Sequence, residues 1–158
     1  MTPPEPPLLR IVPDPNALVS AFISDAGFPA EIHRTWLRGA LEFIVSSQLL
    51  AELEEVLLRP KFRRYGSEVA VAEHVRRLRR ATLVPDAPTR RIVPDDEKDD
   101  YLMILGKTAK ADYVLSGDRH LTALQNADPP VITPRALYQL LVDRGLAPAR
   151  PEQGRPYR

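Results

Sequence analysis

The chain contains no cysteine, and that absence removes disulfides, thiolate zinc sites and cysteine nucleophiles together. An excess of charge is missing too. The 22 Lys and Arg nearly cancel the 21 Asp and Glu, leaving a formal net charge of +1. No global basic field marks a nucleic-acid binder, so any such contact must come from a local patch. No apolar run approaches the roughly 20 residues that span a bilayer. The seven glycines are dispersed, so no glycine-rich nucleotide loop is present. The three histidines, His33, His74 and His120, are scattered. With no Gly-x-Ser-x-Gly, a Ser-His-Asp hydrolase has no support. His33 and His74 read as solvated groups on charged helix surfaces.

What is present suits one domain with a proper core: 158 residues, 44% hydrophobic and 27% charged. Residues 1–7, "MTPPEPP", read as a disordered lead rather than a signal peptide. Residues 8–144 form the expected domain. Residues 145–158, with the polar "APARPEQGRPYR", read as a flexible tail. Lack of cysteine agrees with a cytoplasmic location.

Hydrophobic runs and helical stripes alternate along the domain. Leu8 to Val12 reads as a buried strand that stops at Pro13, and Asn16 to Ile23 as a short helix. A helix from Pro29 carries Ile32, Trp36 and Leu37 on one face. "EFIVSS" is a strand and "SQLLAELEEVLLRP" a helix. "SEVAVAEHVRRLRRATL" is a helix with Val71, Val75 and Leu78 in register, and "TLVP" a short strand. "DDEKDDYLMILGKTAKA" is an acid-rich helix followed by the strand "DYVLSGD", the short helix "RHLTALQ", the strand "PVIT" and the helix "PRALYQLLVDRG". This alternation predicts an α/β fold around a twisted, mostly parallel sheet of four to five strands flanked by helices. Ligands of such sheets bind outside the carboxyl ends of the strands. Asp14 and Asp118 each follow a strand.

Four acids then stand out. As a helix N-cap, Asp14 or Asp118 has an ordinary explanation worth about 1 kcal/mol. On the helix near Asp96, with Leu102 set at zero, Asp99 falls at about 60° and Asp100 near 160°. Asp99 therefore edges the buried face and Asp100 points to solvent. On the "SQLLAELEEVLLRP" helix, Glu52 and Glu54 both flank the apolar stripe, and geometry does not choose between them. If such acids converge, two carboxylates about 4 Å apart repel by roughly 4 kcal/mol at an effective dielectric of 20. A divalent cation or trapped protons must then compensate. An all-oxygen site favours Mg²⁺ or Mn²⁺, ions that assist in-line displacement at phosphate.

The residues resemble a known family. "VPDPNALVSAF" resembles the Asp-x-Asn opening of PIN-domain ribonucleases, and "VSSQLLAELEEVLLRPKF" is similar to the second segment of that family. "PDDEKDDYLMILGKTAKADYVLSGDRHL" and "VITPRALYQLL" resemble its later motifs, in the same order. The likeness spans Leu9 to Leu141 and is strongest to the VapC-like branch, the toxin components of bacterial type II toxin–antitoxin pairs. It implies an acidic pocket binding Mg²⁺ or Mn²⁺ and cleavage of single-stranded RNA, with a cognate antitoxin protein and a homodimer as partners. It implies Asp14, Glu52, Asp99 and Asp118 as the catalytic acids, with Asp14, Asp99 and Asp118 on the metal and Asn16 and Ser116 in support. It selects Glu52 over Glu54. The sequence departs from the family pattern at Pro15, Glu97 and Gly106, where threonine, proline and alanine are usual.

Two basic clusters, "RPKFRRYG" and "HVRRLRR", offer an RNA-facing rim or a solvated face paired with acids. Arg63, Arg64, Arg119 and His120 are the candidate RNA contacts. Two other classes stay open: an inert binding module that keeps the fold, motivated by Pro15 and the altered third motif, and an aspartyl-phosphate phosphatase or receiver. The last is disfavoured because Asn16 stands where that pattern needs a second Asp.

Overall fold

The structure, a computed structural model, describes residue 3 and residues 7–86 and 100–150. Five parallel strands form one sheet in the order β3-β2-β1-β4-β5. They are β1 (Arg10–Pro13), β2 (Glu42–Val45), β3 (Thr82–Leu83), β4 (Tyr113–Leu115) and β5 (Val131–Ile132). The helices are α1 (Pro15–Ile23), α2 (Phe28–Leu37), α3 (Ser47–Leu57), α4 (Glu68–Leu78), α5 (Asp100–Thr108), α6 (Arg119–Thr122) and α7 (Pro134–Asp143). A 3-10 helix, Pro60–Tyr65, joins α3 to α4.

The expected alternation is found. Ile11, Val12, Phe43, Ile44 and Val114 are almost fully buried, as strands covered on both faces must be. Serine or threonine oxygens cap three helices: Ser46 on α3, Ser67 on α4 and Thr133 on α7. Pro134 sits in the first turn of α7, where its missing N–H costs nothing. Among the described residues no helix is long and apolar enough to cross a membrane.

Three expectations fail here for physical reasons. Leu37 is 48% exposed, because α2 ends there and only Ile32 and its neighbours reach the core. His33 and His74 are buried rather than solvated. His74 belongs to the stripe Val71, His74, Val75 and Leu78, spaced i, i+3, i+4, i+7, which marks the inward face of α4. The two imidazole rings lie 5.4 Å apart, with Phe22 and Trp36 beside them. The third is Asp100, which is 3% exposed. Tyr101, Leu102, Met103, Leu105 and Gly106 are buried with it. A helix covered on several sides has no single apolar centre, and the wheel about Leu102 misplaced its solvent side.

The described part of the expected tail, residues 145–150, is packed. Ala147 is buried, and the Pro148 carbonyl accepts from the Tyr138 hydroxyl at 2.7 Å.

The connections decide where a ligand would go. From β1 the chain steps outward to β2 and β3, then returns to the other side of β1 with β4. The reversal leaves a crevice between the carboxyl ends of β1 and β4, the switch point of an open α/β sheet.

Candidate active site

Asp14 is the residue after β1, and its backbone N–H donates to the Leu115 carbonyl of β4 at 2.9 Å. Its side chain turns back to cap α1, with Oδ1 accepting from the Ala17 N–H at 2.6 Å. Pro15 fills the first turn of α1 and leaves this cap intact. The Asp14 side chain is thus fixed inside the crevice, and the residue is 4% exposed.

Ser116, fully buried just beyond β4, joins the two strand ends. Its hydroxyl lies close enough to the Asp14 carboxylate to hold that pKa down, and its Oγ accepts the Asp118 N–H at 3.0 Å. Asp118 caps α6, with Oδ1 accepting from the His120 N–H at 2.7 Å. Asp14, Asn16, Gly117 and Asp118 line one cavity of about 310 Å³, closed on another side by Pro29 of α2 and Pro134 of α7.

The charges of two other acids act on Asp14. Burial pushes the Asp14 carboxyl up from 3.8 to about 6, although hydrogen bonds from Ser116 and Ala17 pull it down. The negative charges of Asp118 and Glu52 push it further up. Glu52, on α3, is half-buried, whereas Glu54 is exposed. Glu52 Oε2 accepts the Tyr101 hydroxyl at 2.5 Å, which brings the first turn of α5 against α3. The cap reading of Asp14 and Asp118 holds, since one oxygen of each serves a helix, and both residues also line one cavity.

Asp99 lies outside the described residues. Asn16 is exposed at the cavity wall, and Arg119 and His120 are exposed on α6 directly after Asp118. Arg63 and Arg64 are elsewhere. They belong to the 3-10 helix, whose following Gly66 packs on Phe22 near the far end of α1 from Asp14. There Arg63 pairs with Glu68 at 2.9 Å and Arg64 lies over the Tyr65 ring at 4.8 Å.

The described donors are carboxylate and hydroxyl oxygens, a set that fits a hard divalent cation. A cation there would lower the carboxyl pKa that burial and like charge have raised. Among the described residues, no three His, Asp or Glu side chains form a ready metal-holding group. Asp14 and Asp118 line the cavity together, and Glu52 lies near enough for its charge to act on Asp14.

A PIN-domain family model matches residues 10–120. The chain belongs to the PIN-domain family. PIN domains are generally nucleases, so the crevice at the strand ends sits on a nuclease-type fold. Among solved structures, the crystal structure of PAE2754 from Pyrobaculum aerophilum is similar, with a TM-score of 0.61. The likeness covers 85% of this chain and 96% of that one at 16% identity, which makes it a likeness of fold. No curated protein sequence matches this PIN domain.

Ser20, which also lines the cavity, and Tyr101, which holds Glu52, were not singled out in the sequence. A weak signal existed for Tyr101: it follows the Asp99-Asp100 pair at the start of a helix.

Proposed function

We propose that this PIN domain is a Mg²⁺- or Mn²⁺-dependent endoribonuclease that cleaves single-stranded RNA. The observation that carries the reading is Asp14: a buried carboxyl held near pH 6 by desolvation and by the charges of Asp118 and Glu52. Retaining such a group is unfavourable in an inert fold and useful at a cation site. In this reading Asp14, Asp118 and Asp99 would hold the ion, with Glu52 supporting them. Bound there, a divalent ion would supply positive charge against the developing charge on phosphate and lower the pKa of an attacking water.

The chain's own groups do the rest. Ser116 fixes the Asp14 carboxylate and positions the Asp118 backbone. Tyr101 orients Glu52 through Oε2. Arg119 and His120, exposed beside Asp118, contact the RNA backbone. The reading extends to a toxin with a cognate antitoxin and a homodimeric, cytoplasmic state, and these parts rest on resemblance to the VapC-like branch alone. Cleavage of a labelled single-stranded RNA with Mn²⁺ tests the activity. Wild type cuts, and Asp118→Asn falls at least roughly 100-fold, the scale on which loss of a key electrostatic group acts. Equal cutting by both would end the assignment.

A second reading has one observation in its favour. The Oδ1 atoms of Asp14 and Asp118 are engaged by Ala17 and His120 backbone amides, and the described acids form no closed cation cage. An inert PIN-fold binding module fits that arrangement, and it would bind no Mn²⁺ at millimolar concentration.

A further inference from the structure

Arg150 lies 4.3 Å from the centre of the Phe28 ring, and Arg135 approaches the same ring at 5.7 Å. Arg150 also lies 5.6 Å from the Tyr138 ring, and its guanidinium donates to the Ala26 carbonyl. Phe28 and Tyr138 are themselves paired at 5.2 Å. Among the described residues neither arginine forms an ion pair. Two cations thus gather on one aromatic ring with no carboxylate paired to either among the described residues, an arrangement that like-charge repulsion opposes and a bound anion relieves.

Their place in the fold identifies the anion. Phe28 precedes Pro29, and Arg135 follows Pro134; both prolines line the cavity that holds Asp14 and Asp118. The cationic pair therefore sits next to the wall of an acidic cavity, on the α2 and α7 side. Arg150 is held there because Tyr138 bonds the Pro148 carbonyl, which ties residues 147–150 across α7. A guanidinium lying on an aromatic ring keeps its edge donors for phosphate oxygens.

We propose that Arg135 and Arg150, gathered on Phe28, form a subsite for a backbone phosphate of the RNA strand, adjacent to the phosphate held at the acidic cavity. This rests on the nuclease reading and adds to it a second point of strand contact, built from α7 and the segment after it. An acidic protein segment is the competing occupant, and the nuclease reading disfavours it: a strand with one phosphate at the acidic cavity carries its neighbouring phosphates along the α2 and α7 wall, whereas an acidic peptide has no second anchor there.

The test is fluorescence anisotropy of a labelled single-stranded oligoribonucleotide in EDTA, across a salt series, with the full chain. Arg135→Ala weakens binding by roughly 5- to 10-fold and lowers the slope of log K against log salt by about 0.7, the value for one single-strand phosphate contact. Arg150→Ala does the same, and Arg150→Lys restores the slope. In Mn²⁺ the alanine variants raise KM and leave kcat near wild type. Thermal melting of Arg135→Ala, whose side chain is exposed, controls for folding.

RNA binding by wild type with an unchanged slope in both alanine variants overturns the subsite and leaves the nuclease reading standing. Loss of poly-glutamate binding in the variants, with RNA binding intact, overturns it in favour of a protein-docking surface. Wild type that neither binds nor cuts RNA overturns both readings together.

Discussion

Ser116 and Asp14 meet across the gap between β4 and β1, the serine hydroxyl close enough to the aspartate carboxylate to hold its pKa down. The same Oγ accepts the Asp118 N–H at 3.0 Å, so one buried hydroxyl couples two acids 104 positions apart in sequence, Asp14 to Asp118. Ser116→Ala removes the largest of the interactions that hold the Asp14 pKa down. The variant is expected to titrate Asp14 above its wild-type value near 6 and to lose about 1 kcal/mol of stability. Carboxyl NMR titration and urea unfolding check the two outcomes.

Asp14 itself should destabilise the metal-free fold at neutral pH. Its folded-state pKa, about 6, is above the unfolded value of 3.8. The stability it contributes is therefore full below pH 3.8 and lost as pH rises through 6. By pH 8 its buried charge costs up to about 3 kcal/mol. Asp14→Asn keeps a capping side chain and removes the charge. In EDTA it should raise stability at pH 8 by about 1–3 kcal/mol and change little at pH 4. Urea midpoints at the two pH values give the sign directly.

The buried histidine pair acts in the opposite sense. Burial lowers both His33 and His74 from 6.5 to about 4, and the positive charge of Arg77 adds to this for each. Each also has an Nε2 with no hydrogen-bond partner among the described residues. Their contribution is present above pH 6.5 and lost as pH falls through 4. Between pH 6 and 4 this loss opposes the gain from protonating Asp14. His33→Leu should lower the acid sensitivity, recovering on the order of 2 kcal/mol at pH 4.5 relative to its effect at pH 8. An unchanged pH profile would show that His33 remains neutral without cost.

Gly106 stands where the PIN pattern usually has alanine, and the packing explains the exchange. A Cβ there would lie 2.7 Å from Pro129 Cγ and 3.1 Å from Val114 Cγ2. The helix-propensity gain of about 1 kcal/mol is outweighed by overpacking against a rigid ring. Gly106→Ala should lower stability by about 1–2 kcal/mol, read as a lower urea midpoint with an unchanged m value.

Much of this molecule could be read before any coordinates. The apolar runs at Ile11-Val12, Phe43-Ile44 and Val114-Leu115 are buried strands, and the acids after them end at the crevice because parallel strands point their carboxyl ends one way. Asp14 needed more, since a cap and a site acid look alike in sequence; its shared cavity with Asp118 and the nearby charge of Glu52 are what the fold adds. Periodicity misled where a helix is covered on several sides. Asp100 is buried for that reason, and His74 was missed although its i+3 spacing from Val71 places it on the inward face. Arg135 and Arg150 share a ring only after the chain folds back across α7, and no local spacing announces that.

The central claim is that Asp14, Glu52 and Asp118 belong to one cation-binding centre. Calorimetric titration of the full chain with Mn²⁺ at pH 8 tests it most directly. The account predicts saturable binding by wild type that weakens at least roughly 10-fold in Asp14→Asn, since one ligand and its charge are lost. No binding by wild type at millimolar Mn²⁺, or equal binding by both proteins, would contradict it.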